Sequence, residues 1–281
     1  VTAPTAFAKA HGLGNDFILV DERHCPPEAS AWARRLCDRH LGIGGDGVLL
    51  YGREAGGPRM RIINADGGEA EISGNGVRCL AALAVRHGWA GPRHVVRTAA
   101  GPREVEVQTL SPNRFRVATD LGAPILESGA IPVALAPPAA KVVDHPLQAA
   151  GRRVRVTATS LGNPHCAVFL EGVADDAVIA TLGPALESHP FFPRRTNVEF
   201  VTVTAPDALR VRLWERGVGP TRASGTGAAS AAVAAMLKGL TDRRVGVVCD
   251  GGVLDVEWPE GGTVRQTGEV EVLFEGEWFS G

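Results

Sequence analysis

Ser73-Gly74-Asn75-Gly76 and Ser224-Gly225-Thr226-Gly227 repeat one pattern 151 positions apart, and each runs straight into small and apolar residues of helical character. A turn of this kind opening a helix presents unpaired backbone N–H groups, with the positive end of the helix dipole behind them. Two such turns in one chain point to one anion gripped from two sides. The plainer alternative is a pair of ordinary N-caps, since Ser caps well and Gly accepts unusual dihedrals. Matching helices behind both turns weigh against it, because capping alone does not call for the same glycines twice.

Outward from the first turn, strands are predicted near Ala6–Lys9 and Phe17–Asp21, on either side of the loop His11-Gly12-Leu13-Gly14-Asn15-Asp16. A helix over Ala29–His40 follows, with Ser30 as its cap. Strands at Val48–Tyr51 and Arg59–Asn64 lead to the first turn and to a helix over Val77–His87 closed by Gly88. Val95–Ala99, Arg103–Thr109 and Arg114–Asp120 alternate as antiparallel strands. The second half follows the same plan, with strands at Val154–Ala158 and Cys166–Leu170, a helix near Ala174–His189, and strands at Asn197–Thr204 and Leu209–Glu215. The second turn then opens a helix over Ala228–Lys238 closed by Gly239, and Val245–Val248, Val253–Trp258 and Glu269–Phe274 finish as strands. Both post-turn helices are thus about eleven residues long with glycine at the C-terminal cap. The Pro-, Ala- and Gly-rich stretch Gly122–Pro138 reads as the joint. The fold class is α+β, with two similar domains, each a mixed or antiparallel sheet around a central helix.

At 281 residues the chain can bury a substantial core and fits two domains of about 140 residues each. Its 29 Lys+Arg against 31 Asp+Glu, without a basic run, imply no nucleic-acid partner. Val1–Lys9 has neither a charged n-region nor an apolar h-region, and no window nears the length of a membrane span. The expectation is a cytoplasmic protein with no membrane partner. Five cysteines (Cys25, Cys37, Cys79, Cys166, Cys249) are scattered without a C-x-x-C, so reduced, mostly buried thiols are expected, and no metal site. Gly42-Ile43-Gly44-Gly45-Asp46-Gly47 fits the dinucleotide fingerprint, but a helix precedes it and a strand follows, the reverse of the required context.

Asn64 precedes Ser73 by nine positions, and Glu215 precedes Ser224 by nine, each at the end of a strand. These equal offsets are a second sign of mirrored halves. Singly, each has a duller reading: an Asn in a turn bonds its own backbone, and Glu215-Arg216 is an exposed pair worth little. Gly162-Asn163-Pro164-His165 places an amide and an imidazole in a loop between strands, where a lone His is more often a surface residue than a catalyst. Asn197 is ambiguous in the same way. Together they supply amides, a guanidinium, a carboxylate and two helix N-termini, which suits a small zwitterion carrying carboxylates.

His11-Gly12-Leu13-Gly14-Asn15-Asp16-Phe17, Asn64-Ala65-Asp66-Gly67, Gly74-Asn75-Gly76-Val77-Arg78-Cys79, Gly162-Asn163-Pro164-His165, Trp214-Glu215-Arg216-Gly217-Val218-Gly219 and Gly225-Thr226-Gly227-Ala228 resemble the motifs of the diaminopimelate epimerases, in that family's order and spacing. The resemblance covers nearly the whole chain. It implies a cofactor-independent enzyme that inverts one α-carbon of a diamino dicarboxylic acid between the LL and meso forms, in lysine and cell-wall synthesis. It implies two similar domains closing over a cleft, a homodimer, and a last strand that returns to the first domain, dividing the chain into 1–121 plus 271–281 and 122–270. By the same resemblance Asn15, Asn64, Asn163, Asn197 and Arg216 hold the non-reacting end of the substrate, while the turns at Gly74-Asn75 and Gly225-Thr226 bind the reacting carboxylate. Glu215 is carried over as a substrate-site residue and, with His165, as polar support beside the two bases.

The bases themselves depart from the family, which uses two cysteines at the positions held here by Ser73 and Ser224. A thiolate on one face takes the α-proton while a thiol on the other delivers one. Serine is far harder to deprotonate, and where hydrolases activate it, it attacks carbon rather than persisting as an alkoxide. Severely reduced or altered proton transfer is therefore expected. Cys79 lies six residues beyond the base position and belongs to the family's helix pattern, and Pro220 stands where the family usually has Glu. Two origins fit: a family member whose bases have been exchanged, or a divergent paralogue that binds, or racemises, another amino acid.

Overall fold

The computed structural model describes residues 4–54, 56–70 and 72–279, so the first three residues of the N-terminal stretch lie outside the described residues. In chain order the elements are β1 (Thr5–Gly12), β2 (Asn15–Asp21), α1 (Ala29–Cys37), β3 (Gly47–Glu54), β4 (Gly57–Asn64), β5 (Glu69–Ala70), α2 (Gly74–Arg86), β6 (Arg93–Thr98), β7 (Gly101–Thr109) and β8 (Arg114–Asp120). There follow β9 (Val142–Ala149), β10 (Arg152–Ser160), β11 (Pro164–Phe169), α3 (Asp176–Glu187), β12 (Asn197–Ala205), β13 (Ala208–Glu215) and β14 (Gly219–Thr221). The chain ends with α4 (Gly225–Leu237), β15 (Arg244–Cys249), β16 (Gly252–Glu257) and β17 (Arg265–Trp278). It divides into two compact units, residues 1–120 with 267–281, and residues 121–266. The boundary before the last segment falls inside β17.

In the first unit the strands follow one another as β1-β2-β3-β4-β6-β7-β8-β17, and β17 pairs back with β1, closing the circuit. The pairs β2–β3 and β4–β6 are parallel. Parallel neighbours need a crossover, and α1 and α2 supply it. Alternation along the strands sorts their side chains. Leu19 and Leu49 join Val77, Leu80 and Leu83 of α2 in one core, while Ile18, Val20, Val48 and Leu50 face Ala33 and Leu36 of α1 in another. Gly74 through Ala84 of α2 are buried without a break, the mark of a helix enclosed on every side.

The second unit repeats this plan. Its strands run β9-β10-β11-β12-β13-β15-β16, with β11–β12 and β13–β15 parallel, crossed by α3 and α4. Helix α4 is buried from Gly227 to Met236 and owes its fit inside a sheet to its small residues. The short strands β5 and β14 pair back on β4 and β13, each just ahead of an S-G-x-G turn.

The structure corrects several expectations. The post-turn helices have thirteen residues each, because the turn glycines belong to the first helical turn instead of preceding it. Gly88 and Gly239 do take the left-handed conformation just past each helix, at φ +68° and +67°. Ser30 is no cap: it lies inside α1, whose N-cap is Glu28. That helix stops at Cys37 because Asp38 Oδ1 takes the backbone N–H groups of His40 and Leu41, both at 2.8 Å, in place of a further helical turn. Strand β9 escapes the sequence pattern because Pro146 and the left-handed Asp144 interrupt it.

Candidate functional site

Ser73 caps α2 at φ −133°, ψ 122°, and Ser224 caps α4 at φ −134°, ψ 128°. Each Oγ accepts the backbone N–H three residues on, from Gly76 at 3.1 Å and Gly227 at 3.3 Å. The glycines three residues after each serine sit close against their neighbours, more tightly in the second turn than in the first. A Cβ on Gly76 would stand 3.2 Å from Leu49 Cδ2 and 3.3 Å from Ser73 Cβ; on Gly227 it would stand 2.9 Å from Leu213 Cδ2 and 3.1 Å from Ser224 Cβ. One local design, down to the leucine packed beneath it, is thus built twice.

In the first unit the turn is tied to the β1–β2 hairpin. Asn75 Nδ2 donates to Asn15 Oδ1 at 3.1 Å, and Asn15 Nδ2 donates to Asp46 Oδ2 at 2.8 Å. Arg78, fully buried three residues after Asn75 in the helix, donates to Asn75 Oδ1. Burial pushes its guanidinium down to about 10. Asp46 also accepts from Arg39, which donates in turn to Asp16 at 2.7 Å, and the buried Lys9 lies 2.5 Å from Asp16. Burial alone would raise the Asp16 carboxyl, but hydrogen bonds from Arg39 and Lys9 outweigh it and hold the group at about 2. Asn64 ends β4, where its backbone bonds Gly67 and Gly68. The Gly42–Gly47 segment closes α1, with Ile43 and Gly44 both donating to Leu36 O at 2.9 Å, and delivers Asp46 to Asn15. It is a helix-to-strand loop, as its context required.

In the second unit His165 is not in a loop. It stands in β11, 1% exposed, because Pro164 already begins the strand and pairs with Ser160. Its Nδ1 lies 2.7 Å from Glu199 Oε1, and its Nε2 lies 2.9 Å from Asn163 Oδ1. Asn163 Nδ2 reaches Thr226 Oγ1 at 3.5 Å, so this unit also joins an asparagine at the N-terminal edge of a strand to the second residue after its capping serine. Asn197 donates to Pro164 O at 2.9 Å and accepts the backbone N–H of Arg216 at 3.0 Å, tying β11 to the end of β13. The Arg216 turn is held from beneath by the buried Glu187, which accepts from Trp214 Nε1 and Gly217 N, both at 2.7 Å, and pairs with Arg195. Arg216 itself is exposed, and Glu215 half-buried, at the end of β13.

Sequence reasoning passes over Lys9, Arg39, Asp46, Arg78, Glu187 and Glu199. Glu199 carries a signal: it lies two residues beyond Asn197 on a strand and so shares its face. All five cysteines are free thiols, four buried and Cys25 half-buried. Burial pushes each of them up, Cys79 and Cys249 to about 12 and Cys37 to about 11. None of them is poised as a base. Among the described residues no group of His, Cys, Asp and Glu is arranged to hold a metal, and no helix is long and apolar enough to cross a membrane.

The family model described as diaminopimelate epimerase matches residues 7–126 and 157–273. The diaminopimelate epimerase of Desulforudis audaxviator is 49% identical over 277 residues, covering 97% of this chain and 98% of that protein. That of Pelotomaculum thermopropionicum is 45% identical with the same coverage. Among solved structures, a predicted epimerase from Pseudomonas aeruginosa shares the fold with a TM-score of 0.70 at 18% identity, covering 99% of this chain and 100% of that one.

Proposed function

The chain belongs to the diaminopimelate epimerase family, and on that premise we propose that it binds diaminopimelate and inverts one α-carbon between the LL and meso forms without a cofactor, slowly, because serine stands at both base positions. The observation that carries the reading is the pair of Ser-capped turns, closely matched in backbone geometry and each with a glycine packed against the same kinds of neighbours, a leucine methyl and the capping serine. The N–H groups that open each helix take the reacting carboxylate. Asn15, Asn64, Asn163, Asn197 and Arg216 serve the distal end, where the guanidinium meets a carboxylate in two parallel bonds. His165 and Glu215 give polar support, and the chain works as a cytoplasmic homodimer.

Chemistry, not shape, limits the turnover. A water-like hydroxyl ionises about seven units above a free thiol, whose pKa is about 8.5, and that gap corresponds to about 10 kcal/mol. A helix N-terminus brings thiols down to about 3.5–7.5, a gain of about five units at most, so it does not carry a hydroxyl to neutrality. A second reading, a non-catalytic amino-acid-binding protein, is favoured by the same serines standing beside fully formed amide networks. Calorimetry with LL- and meso-diaminopimelate tests the binding common to both, and an absence of binding removes both. Measurable inversion by the unaltered chain removes the second, and no α-deuteration by the Ser73→Cys, Ser224→Cys double variant in D2O removes the first.

A further inference from the structure

We propose that Glu199 is a positioning residue that acts through His165 to hold the Asn163 amide with its N–H groups turned outward. Glu199 and His165 are buried, with side chains each 1% exposed, on neighbouring parallel strands in which His165 is paired with Asn197. His165 Nε2 faces the Asn163 amide oxygen, to which it can only donate, and Nδ1 faces Glu199 Oε1. Glu199 Oε2 is buried with no hydrogen-bond partner, so the acid is only half satisfied where an apolar residue would pack at lower cost. What it supplies is direction.

The first unit gives the comparison. There a carboxylate, Asp46, meets the asparagine amide directly and takes its N–H side, which leaves Asn15 Oδ1 toward the α2 turn, where it accepts from Asn75. In the second unit a ring is inserted between acid and amide. A ring N–H takes the oxygen side, so Asn163 is reversed and its Nδ2 points to Thr226 of the α4 turn. One binding asparagine is thereby set as an acceptor toward its turn and the other as a donor, and a donor beside a helix N-terminus selects carboxylate over ammonium.

The identity of the ligand rests on the proposed function; the amide polarity does not. The test combines nitrogen-resolved NMR of the His165 ring with calorimetry of both diaminopimelate isomers, on the native chain, E199Q and E199V. A protonated Nε2 is expected in the native chain and in E199Q, whose side-chain amide donates to Nδ1, but a mixture of tautomers in E199V. Affinity should fall about threefold in E199Q and about thirtyfold or more in E199V, the loss of an oriented hydrogen bond. An unprotonated Nε2 in the native chain overturns the proposal, as does a folded E199V that binds like the native chain. Should E199V fail to fold, an unprotonated Nε2 in E199Q overturns it equally. If the native chain binds neither isomer, the proposed function fails, and the ring signals alone decide the role of Glu199.

Discussion

Restoring one thiol at a time separates the two half-sites. Ser73→Cys and Ser224→Cys each place sulfur where Oγ now accepts a backbone N–H, at a cap whose extended dihedrals need no change. That N–H and the helix dipole stabilise a thiolate, while the hydroxyl left in the other unit remains about seven units, or about 10 kcal/mol, away from ionising. If about half of this difference is felt in the transition state of proton transfer, the restored position gains about 10³- to 10⁴-fold. A single variant then has one competent base, and the opposing hydroxyl is as poor an acid as it is a base. Each variant should wash solvent deuterium into the isomer whose α-proton faces its thiol, with retained configuration. The two variants should prefer opposite isomers. LL- and meso-diaminopimelate are incubated separately in D2O, with deuterium read by mass spectrometry and configuration by chiral chromatography. Inversion should run below about a hundredth of exchange in either single variant and keep pace with it in the double variant. A single variant that exchanges both isomers equally, or a native chain that inverts as fast as the double variant, refutes the reasoning.

The two turn glycines should respond differently to alanine. Helix propensity favours the change by up to about 1 kcal/mol, whereas overpacking costs about 1–3 kcal/mol. With contacts of 2.9 and 3.1 Å, Gly227→Ala should lose about 1–2 kcal/mol, and Gly76→Ala, with 3.2 and 3.3 Å, should stay within about 1 kcal/mol of native in urea unfolding. A stabilised Gly227→Ala would contradict this. Asp16→Asn strands the buried Lys9 and should cost about 3 kcal/mol at neutral pH. Because the folded state holds the Asp16 carboxyl at about 2, the native chain keeps this stabilisation above about pH 4 and loses it as pH falls towards 2, a slope the variant should lack in acid titrations of unfolding. Cys25, half-buried, should be labelled first by a thiol reagent under native conditions; equally fast labelling of any other cysteine would contradict the burial pattern.

The mirrored plan is legible in the sequence because it rests on local signals: a capping serine, glycines that only a crowded turn requires, and a left-handed glycine after each helix. The equal nine-residue offsets are equal positions in the fold, since Asn64 ends β4 and Glu215 ends β13. What stays hidden depends on pairing between distant segments. The two-residue β5 and three-residue β14 exist only because β4 and β13 lie beside them. His165 reads as a loop residue because Pro164 looks like a break, although a proline at the first position of a strand forfeits little. Lys9, Arg39, Asp16 and Asp46 look in sequence like ordinary surface charges. They become a network only when β1, β2 and the loop after α1 are brought together.

The serines do not make the turns defective; they change what the turns present. Each Oγ already accepts a backbone N–H, so one lone pair is taken while the hydroxyl proton is left to donate, and beside the N–H groups that open the helix the turn presents mainly donors to whatever stands before it. Such a set favours holding a carboxylate and is poorly suited to receiving a proton. A thiol at the same cap can surrender its proton and remain as an anion held by the same N–H. Binding and proton transfer therefore draw on one backbone geometry and part company at one atom per unit. Exchanging oxygen for sulfur at Ser73 and Ser224 should accordingly change α-deuteration by orders of magnitude while leaving affinity for diaminopimelate within about tenfold, since the groups that hold the ligand are otherwise untouched. Affinity that rises and falls in step with exchange would mean that the oxygens themselves grip the ligand, and that the turns are not a shared scaffold for both tasks.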